Sequence, residues 1–419
     1  MSPSGRGVMR VSLIRATDAV ATSITTTALP LLILTATGSS TLTGMAFVLE
    51  WLPRLLAISI GGHLIDRYGA DRVFRGATAA RATVLAAAAG VLCDLPDTGA
   101  TATAVVMALG ALSGLLSQTS FVAIETLGSY ASRAAGDQTH RVQIVIDQGA
   151  LLSGPVLAAL LLLAGPEVML LVTAALSAVA ACSTVSHTDV ASPLGVSRSF
   201  AVSRLRAEWS TGGGLPALGC LASGLMASNL ALAATQASSP TTVVHGYDGS
   251  PLTAGVVWSA VGVACLAAVA ASRWAIDRFG RWPVSAIGAA MACSACLAAG
   301  LAPGLAEYAV TISVLMVGEG ALTLVLRTLR ARLVPARGYG SALSATIVVL
   351  VLPVPVAGVL ATALPAPALP ALLLACAVLQ GVAVSAALPG LWRHRASSAP
   401  AQPVVHTAPT AVALPVPRH

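Results

Sequence analysis

The chain has 419 residues, of which 56% are hydrophobic and only 9% charged, and its formal net charge is +7. An ordinary soluble domain carries roughly a quarter charged residues, so a water-soluble fold of this length could not cover its surface; the mean hydropathy of +0.85 agrees. The basic excess does not mark a nucleic-acid partner, because all 23 basic residues are arginines, and they sit in short turns and tails rather than along one face interleaved with aromatics.

A bilayer core of about 30 Å takes about 20 apolar residues per helix. The first segment of that kind, 11–34, opens among Arg6, Arg10 and Arg15 and runs too long for a cleavable signal, so it is read as a span. Further spans follow at 43–62, 76–93, 101–123, 142–164 and 167–186, then at 214–236, 251–272, 283–303, 308–328, 341–363 and 369–391. The fold class expected is an all-α integral membrane protein of twelve transmembrane helices, arranged as two pseudo-symmetric six-helix bundles, 1–186 and 214–395. A central cytoplasmic linker, 187–213, joins them, and 396–419 is expected to be a disordered cytoplasmic tail. The linker's Arg198, Arg204, Arg206 and Trp209 suit either a plain basic connector or a short helix on the inner membrane surface. Pro30, Pro53, Pro155, Pro353 and Pro355 fall inside spans, where neighbouring helices can satisfy the freed carbonyls.

The arginines test this count. With a cytoplasmic N-terminus, the inside turns hold Arg67, Arg72 and Arg75; Arg133 and Arg141; Arg273, Arg278 and Arg281; Arg330, Arg332 and Arg337; Arg393 and Arg395. The outside turns hold no arginine and carry Asp94, Asp97, Asp248 and Glu307 instead. That alternation follows the positive-inside rule, so a multi-pass cell-membrane protein with both termini cytoplasmic is expected.

Two stretches say nearly the same thing. Gly62-His63-Leu64-Ile65-Asp66-Arg67-Tyr68-Gly69 is echoed 211 residues later by Arg273-Trp274-Ala275-Ile276-Asp277-Arg278-Phe279-Gly280. A repeated turn in two halves of a hydrophobic chain points to a duplicated bundle with its site between the halves. Gly62 is expected to let two helices approach closely, Gly69 to permit a tight reversal, and Asp66 to pair with Arg67 or Arg72 or to face a helix N-terminus.

This turn resembles the signature of the major facilitator superfamily, with Gly62, Leu64, Asp66, Arg67, Gly69 and Arg72 in place and a weaker copy at Asp277, Arg278, Gly280 and Arg281. Ala70 and Asp71 stand where the family usually has basic residues. The resemblance implies a conformational latch that helps hold the outward-facing state, with Glu125 as its acidic partner. In the fifth span, Gly149, Gly154 and Pro155 partly resemble the glycine-proline motif of the family's exporters, with Ala158 and Ala159 replacing later glycines. The fourth-span arginine common in drug–proton antiporters is missing. The run from 24 to 66 looks like the branch of enterobactin-type siderophore exporters and macrolide efflux proteins.

An ionisable side chain in mid-membrane costs roughly 2.5–3.5 kcal/mol on insertion scales and is a functional candidate by default. Glu50 and Arg54 stand at i, i+4 in the second span, Asp18 in the first and Glu319 in the tenth. Glu50 or Glu319 can carry a proton between wet and dry states, Arg54 can contact an anionic substrate, or Glu50 and Arg54 can form a structural pair. Asp18 and Arg15 suit an inner-mouth salt bridge, and Asp147 belongs to the inner rim. Gln118, Gln148, Asn229 and Gln236 either line a cavity or bond across helices. With aromatics at 4%, small aliphatic cavity walls are expected rather than stacked rings.

Of the seven cysteines, Cys293 and Cys296 form a CxxC with no second pair or nearby histidine, so no metal and no cofactor are expected. No catalytic grouping converges on one membrane level, which argues against an enzyme. No GxxxxGK[ST] loop occurs, so the energy source is expected to be an ion gradient. The chain is therefore expected to be a secondary active transporter, working as a monomer in the lipid bilayer, that exports a small organic molecule against protons. An importer, or a transport-inactive receptor or scaffold on the same fold, is the competing reading.

Overall fold

The computed structural model describes residues 3–94, 99–135, 137–183, 215–333 and 348–395. The linker 187–213 and the tail 396–419 lie outside them. Six helices form the first half: α1 (Pro3–Thr37), α2 (Ser40–Tyr68), α3 (Ala70–Asp94), α4 (Ala100–Ala135), α5 (Asp137–Ala164) and α6 (Pro166–Cys182). Six form the second: α7 (Leu215–Thr241), α8 (Pro251–Phe279), α9 (Arg281–Gly300), α10 (Leu305–Leu333), α11 (Pro353–Ala363) and α12 (Leu369–Arg395). Among the described residues nine helices are long and apolar enough to span a bilayer, and Pro166–Cys182 and Val348–Ala363 are apolar but shorter. Several helices run past their expected spans, because hydropathy marks only the length inside lipid and the helix continues into the interface. Large apolar side chains such as Leu163, Val310 and Val382 are exposed on the outside of the bundle, as a lipid-facing surface requires.

The halves repeat one packing pattern. In the first, α1 packs on α5 and α6, α2 on α4, and α3 on α4 and α6; in the second, α7 packs on α11 and α12, α8 on α10, and α9 on α10 and α12. Each pair maps onto its partner by adding six to the helix number. The two main contacts between halves, α2 with α11 and α5 with α8, exchange under the same shift. The repeated turn is equally symmetric. Gly69 and Gly280 adopt φ of 84° and 85°, a region closed to other residues in practice. Their N–H groups donate to the carbonyls of Ile65 at 2.8 Å and Ile276 at 2.9 Å. In each case a single glycine ends one helix and starts the next.

Two ends of the molecule differ in how the halves meet. On the side whose turns lack arginine, one apolar cluster joins Leu31 and Phe47 of the first half to Val257, Trp258, Ala357 and Ala361 of the second. A Cβ at Gly358 of α11 would lie 2.8 Å from Val48 Cγ2 and 2.9 Å from Phe47 Cδ1 of α2, and one at Gly255 of α8 would lie 2.7 Å from the Pro155 carbonyl oxygen of α5. On the arginine-bearing side the clusters stay within their halves: Val11, Phe74, Ile124 and Leu127 in one, Leu221, Leu322, Leu350 and Leu391 in the other. Among the described residues, the halves are sealed together at one end and packed separately at the other.

Candidate functional site

A cavity of about 380 Å³ lies between the halves. Arg15, Asp18, Thr22, Thr26 and Pro30 of α1 face it at steps of three to four residues, so one helical stripe lines its length. Arg54 joins from α2, Gln118 from α4, Asp147 and Pro155 from α5, and Gln236 and Pro240 from α7. Phe47, Trp51, Phe121 and Trp258 also wall it, which corrects the expectation of a purely aliphatic lining. Aromatics are scarce in the chain but gather here, and composition says nothing about where scarce residues gather.

Three buried arginines organise the first half. Arg81 of α3 is fully buried: Nη2 donates to Asp18 Oδ1 at 2.7 Å, Nη1 to Thr22 Oγ1 at 2.8 Å, and Nε to Ser177 Oγ at 3.0 Å. Ser120 Oγ donates to the other Asp18 oxygen at 3.1 Å. Arg15 donates to both oxygens of Asp147, from Nε at 2.9 Å and Nη2 at 2.5 Å, and from Nη2 to Glu125 Oε1 at 2.5 Å. Arg54 donates from Nη2 to Glu50 Oε1 at 2.5 Å and to Thr26 Oγ1 at 2.8 Å, and lies 4.3 Å from the centre of the Trp51 ring. Each buried cation thus meets an acid, the condition under which burial of charge is tolerable. In the second half, Gln380 Nε2 of α12 donates to Glu319 Oε1 of α10 and to Ser228 Oγ of α7.

Several expected roles change. Asp18 and Arg15 do not bridge each other; the partner of Asp18 is Arg81, which the sequence alone does not single out although it is an arginine inside an apolar segment. Gln380, which carries no charge, gives no sequence signal either. Glu125, which the resemblance makes the acidic partner of the repeated turn, shares Arg15 with Asp147 in this state. Glu50 is buried beside Arg54, behind the cavity surface, while Glu319 lies away from it. Gln118 and Gln236 line the cavity, whereas Asn229 Nδ2 donates to the carbonyl of Leu350 at 2.6 Å, next to the break in front of Pro353. The Gln148 and Asp66 side chains lie outside the described residues. Arg67 stacks 5.2 Å from the Tyr68 ring; Arg72, Asp277 and Arg278 are exposed. A Cβ at Gly62 or Gly149 would meet nothing within 4 Å, so neither glycine serves a close helix approach in this state. Gly154 does, against Ser23, and so does Gly114, against the Glu50 carbonyl.

Two six-helix halves of one packing pattern, closed at one end around a charged cavity, form the architecture of a secondary transporter in the membrane. Residues 11–358 match the Major Facilitator Superfamily, and the chain belongs to it. Solved structures share the fold. A point mutant of the nucleoside transporter NupG superposes with a TM-score of 0.71 at 14% identity, over 92% of this chain and 99% of that one. A bacterial homologue of the iron transporter ferroportin in an inward-facing state gives 0.71 at 15%, over 93% and 100%. A bacterial homologue of the human lysosomal transporter Spinster, inward-facing and unoccupied, gives 0.65 at 14%, over 96% and 100%. Comparison with curated protein sequences finds no match.

Proposed function

We propose that this transporter exports a small organic molecule of the siderophore or antibiotic kind from the cytoplasm across the cell membrane, as a monomer, by alternating access driven by the proton gradient. The observation that carries this reading is the cavity. It is charged, sealed at the arginine-free end and, among the described residues, flanked by separately packed halves at the other, as a carrier loading from the cytoplasm requires if arginines mark the inside. The exporter-like Gly154-Pro155 step adds support, since Gly154 packs against Ser23 of α1 and Pro155 sits on the α5–α8 contact that forms the seal.

The proton carrier in this reading is Glu319. Asp18, Glu50, Glu125 and Asp147 are each bound to an arginine, so taking a proton would break an ion pair. Glu319 is buried with a neutral amide and a hydroxyl around it, and no cation is bonded to it among the described residues. Its proton can come and go without that loss. Glu319→Gln keeps the shape and the link to Gln380. Inverted membrane vesicles given labelled siderophores and macrolides should accumulate substrate when respiration acidifies their lumen. A protonophore should stop this. Glu319→Gln should lose the gradient-driven part while keeping substrate exchange between equal pools. Accumulation in right-side-out vesicles alone would reverse the direction, and driven uptake by Glu319→Gln at the normal rate would remove Glu319 from coupling.

A further inference from the structure

The groups facing the cavity differ in what they have left to offer. Asp18 accepts at one oxygen from Arg81 and at the other from Ser120, and both oxygens of Asp147 accept from Arg15. These four carboxylate oxygens are therefore engaged, and only the mouth, where Arg15 is shared by Asp147 and Glu125, keeps an excess of negative charge among the described residues.

The donors are different. Both hydrogen bonds of Arg54 leave from Nη2, and its Nε, like Nε1 of the adjacent Trp51, is buried without a partner among the described residues. Arg54 is 7% exposed, and both residues line the cavity. A buried donor left unmade costs roughly 1–3 kcal/mol, and the Arg54 guanidinium carbon lies 4.3 Å from the centre of the Trp51 ring, so this stretch of cavity wall holds two donors in want of an acceptor. Thr26, which fixes Arg54, lies eleven residues beyond Arg15 on α1, about 16 Å along the axis at the helical rise. This donor pair therefore sits deep in the cavity, toward the sealed end. The mouth holds Arg15, whose Nη1 is likewise buried without a partner among the described residues, but whose other donors are taken by two acids.

Resting on the carrier reading above, we propose that Arg54 and Trp51 form the anionic-headgroup subsite of the transported molecule, so that the substrate class is an organic acid with an aromatic or apolar body. The headgroup accepts from Arg54 Nε and Trp51 Nε1 while Glu50 stays on Nη2. The body lies against Phe47 and Trp258, and Gln236 reaches in from the second half. A guanidinium fork prefers a planar anionic acceptor over a neutral carbonyl, which gives the site its selectivity.

Equilibrium binding to the purified full chain in lipid nanodiscs tests this, read by quenching of tryptophan fluorescence and by calorimetry, with salicylate, its neutral analogue salicylamide, and benzylamine as probes. Salicylate should bind at least about ten-fold tighter than salicylamide, the worth of one charge-assisted hydrogen bond, and benzylamine weakest. Trp51→Phe keeps the ring but removes the donor and should weaken salicylate alone. Arg54→Gln should abolish the preference. Because it strands Glu50, Glu50→Gln with Arg54→Gln removes both charges together and should give the same loss in a folded protein. Salicylate binding no tighter than salicylamide, or a preference that survives the double variant, overturns the subsite. Tighter benzylamine overturns the anionic class. Binding is read without any gradient, so failure of vesicle uptake alongside selective salicylate binding would sink the carrier reading and leave the subsite standing.

Discussion

Arg81 shows how far a single residue can matter without touching the substrate. It is fully buried, ties α3 to α1 and α6, and holds the one carboxylate that faces mid-cavity from α1. Removing one partner of a buried pair costs about 3–5 kcal/mol because the other is left charged and alone. Arg81→Gln should therefore lower the thermal unfolding midpoint of the detergent-purified protein markedly, and Asp18→Asn with Arg81→Gln should recover most of the loss. Equal loss in the double variant would mean that the hydrogen bonds to Thr22 and Ser177, not the charge pair, carry the effect. The same pair explains what the sequence could reveal of the site. Glu50 and Arg54 stand one turn apart, and that spacing is visible in a linear chain. Arg81 and Asp18 are 63 residues apart, and Gln380 and Glu319 are 61 apart. Such partners meet only through helix packing, which no local spacing encodes.

At the level of helices, hydropathy located the spans and the repeated Asp-Arg-aromatic-Gly stretch located the two matching turns, because lipid thickness and positive φ each impose a local residue pattern. Helix contacts were less readable. Gly62 and Gly149 have the sequence context of contact points and face open space, while Gly114, Gly255 and Gly358 make the close approaches. A glycine permits an approach; whether a neighbour arrives depends on the tertiary arrangement and on the conformational state. Gly358 is the clearest lever. Its missing Cβ leaves room for Val48 and Phe47 where α11 meets α2, at the sealed end. Gly358→Leu overpacks that contact, which costs about 1–3 kcal/mol in the sealed state only, a shift of roughly five-fold or more toward opening there. In a cysteine-free chain carrying Gln236→Cys, an impermeant maleimide applied from the arginine-free side should then react faster by that factor. An unchanged rate would place the seal elsewhere, with Gly255 on the α5–α8 contact as the next candidate.

For the whole molecule, the symmetry of the interface sets what the other state must look like. The seal uses the start of α2 with the end of α11, and the end of α5 with the start of α8. These pairs exchange when six is added to the helix number, so rocking the halves brings the opposite ends of the same four helices together. Those ends are the two repeated turns, closing α2 and α8, and the beginning of α5, while the stretch leading into α11 lies outside the described residues. A helix start carries positive partial charge, and Asp66 and Asp277 sit at the last turns of α2 and α8. The acids therefore approach helix starts only when the arginine-bearing side closes. Each such interaction is worth about 0.3–1 kcal/mol, so Asp66→Asn with Asp277→Asn should shift the balance roughly three-fold or more away from that closed state. With the Gln236→Cys reporter, labelling from the arginine-free side should slow accordingly, the reverse of Gly358→Leu. Combining both sets should return the rate toward the starting value, since the substitutions act on opposite ends of one two-state equilibrium. Labelling that does not slow in the double asparagine variant would mean the duplicated turns serve only to reverse the chain.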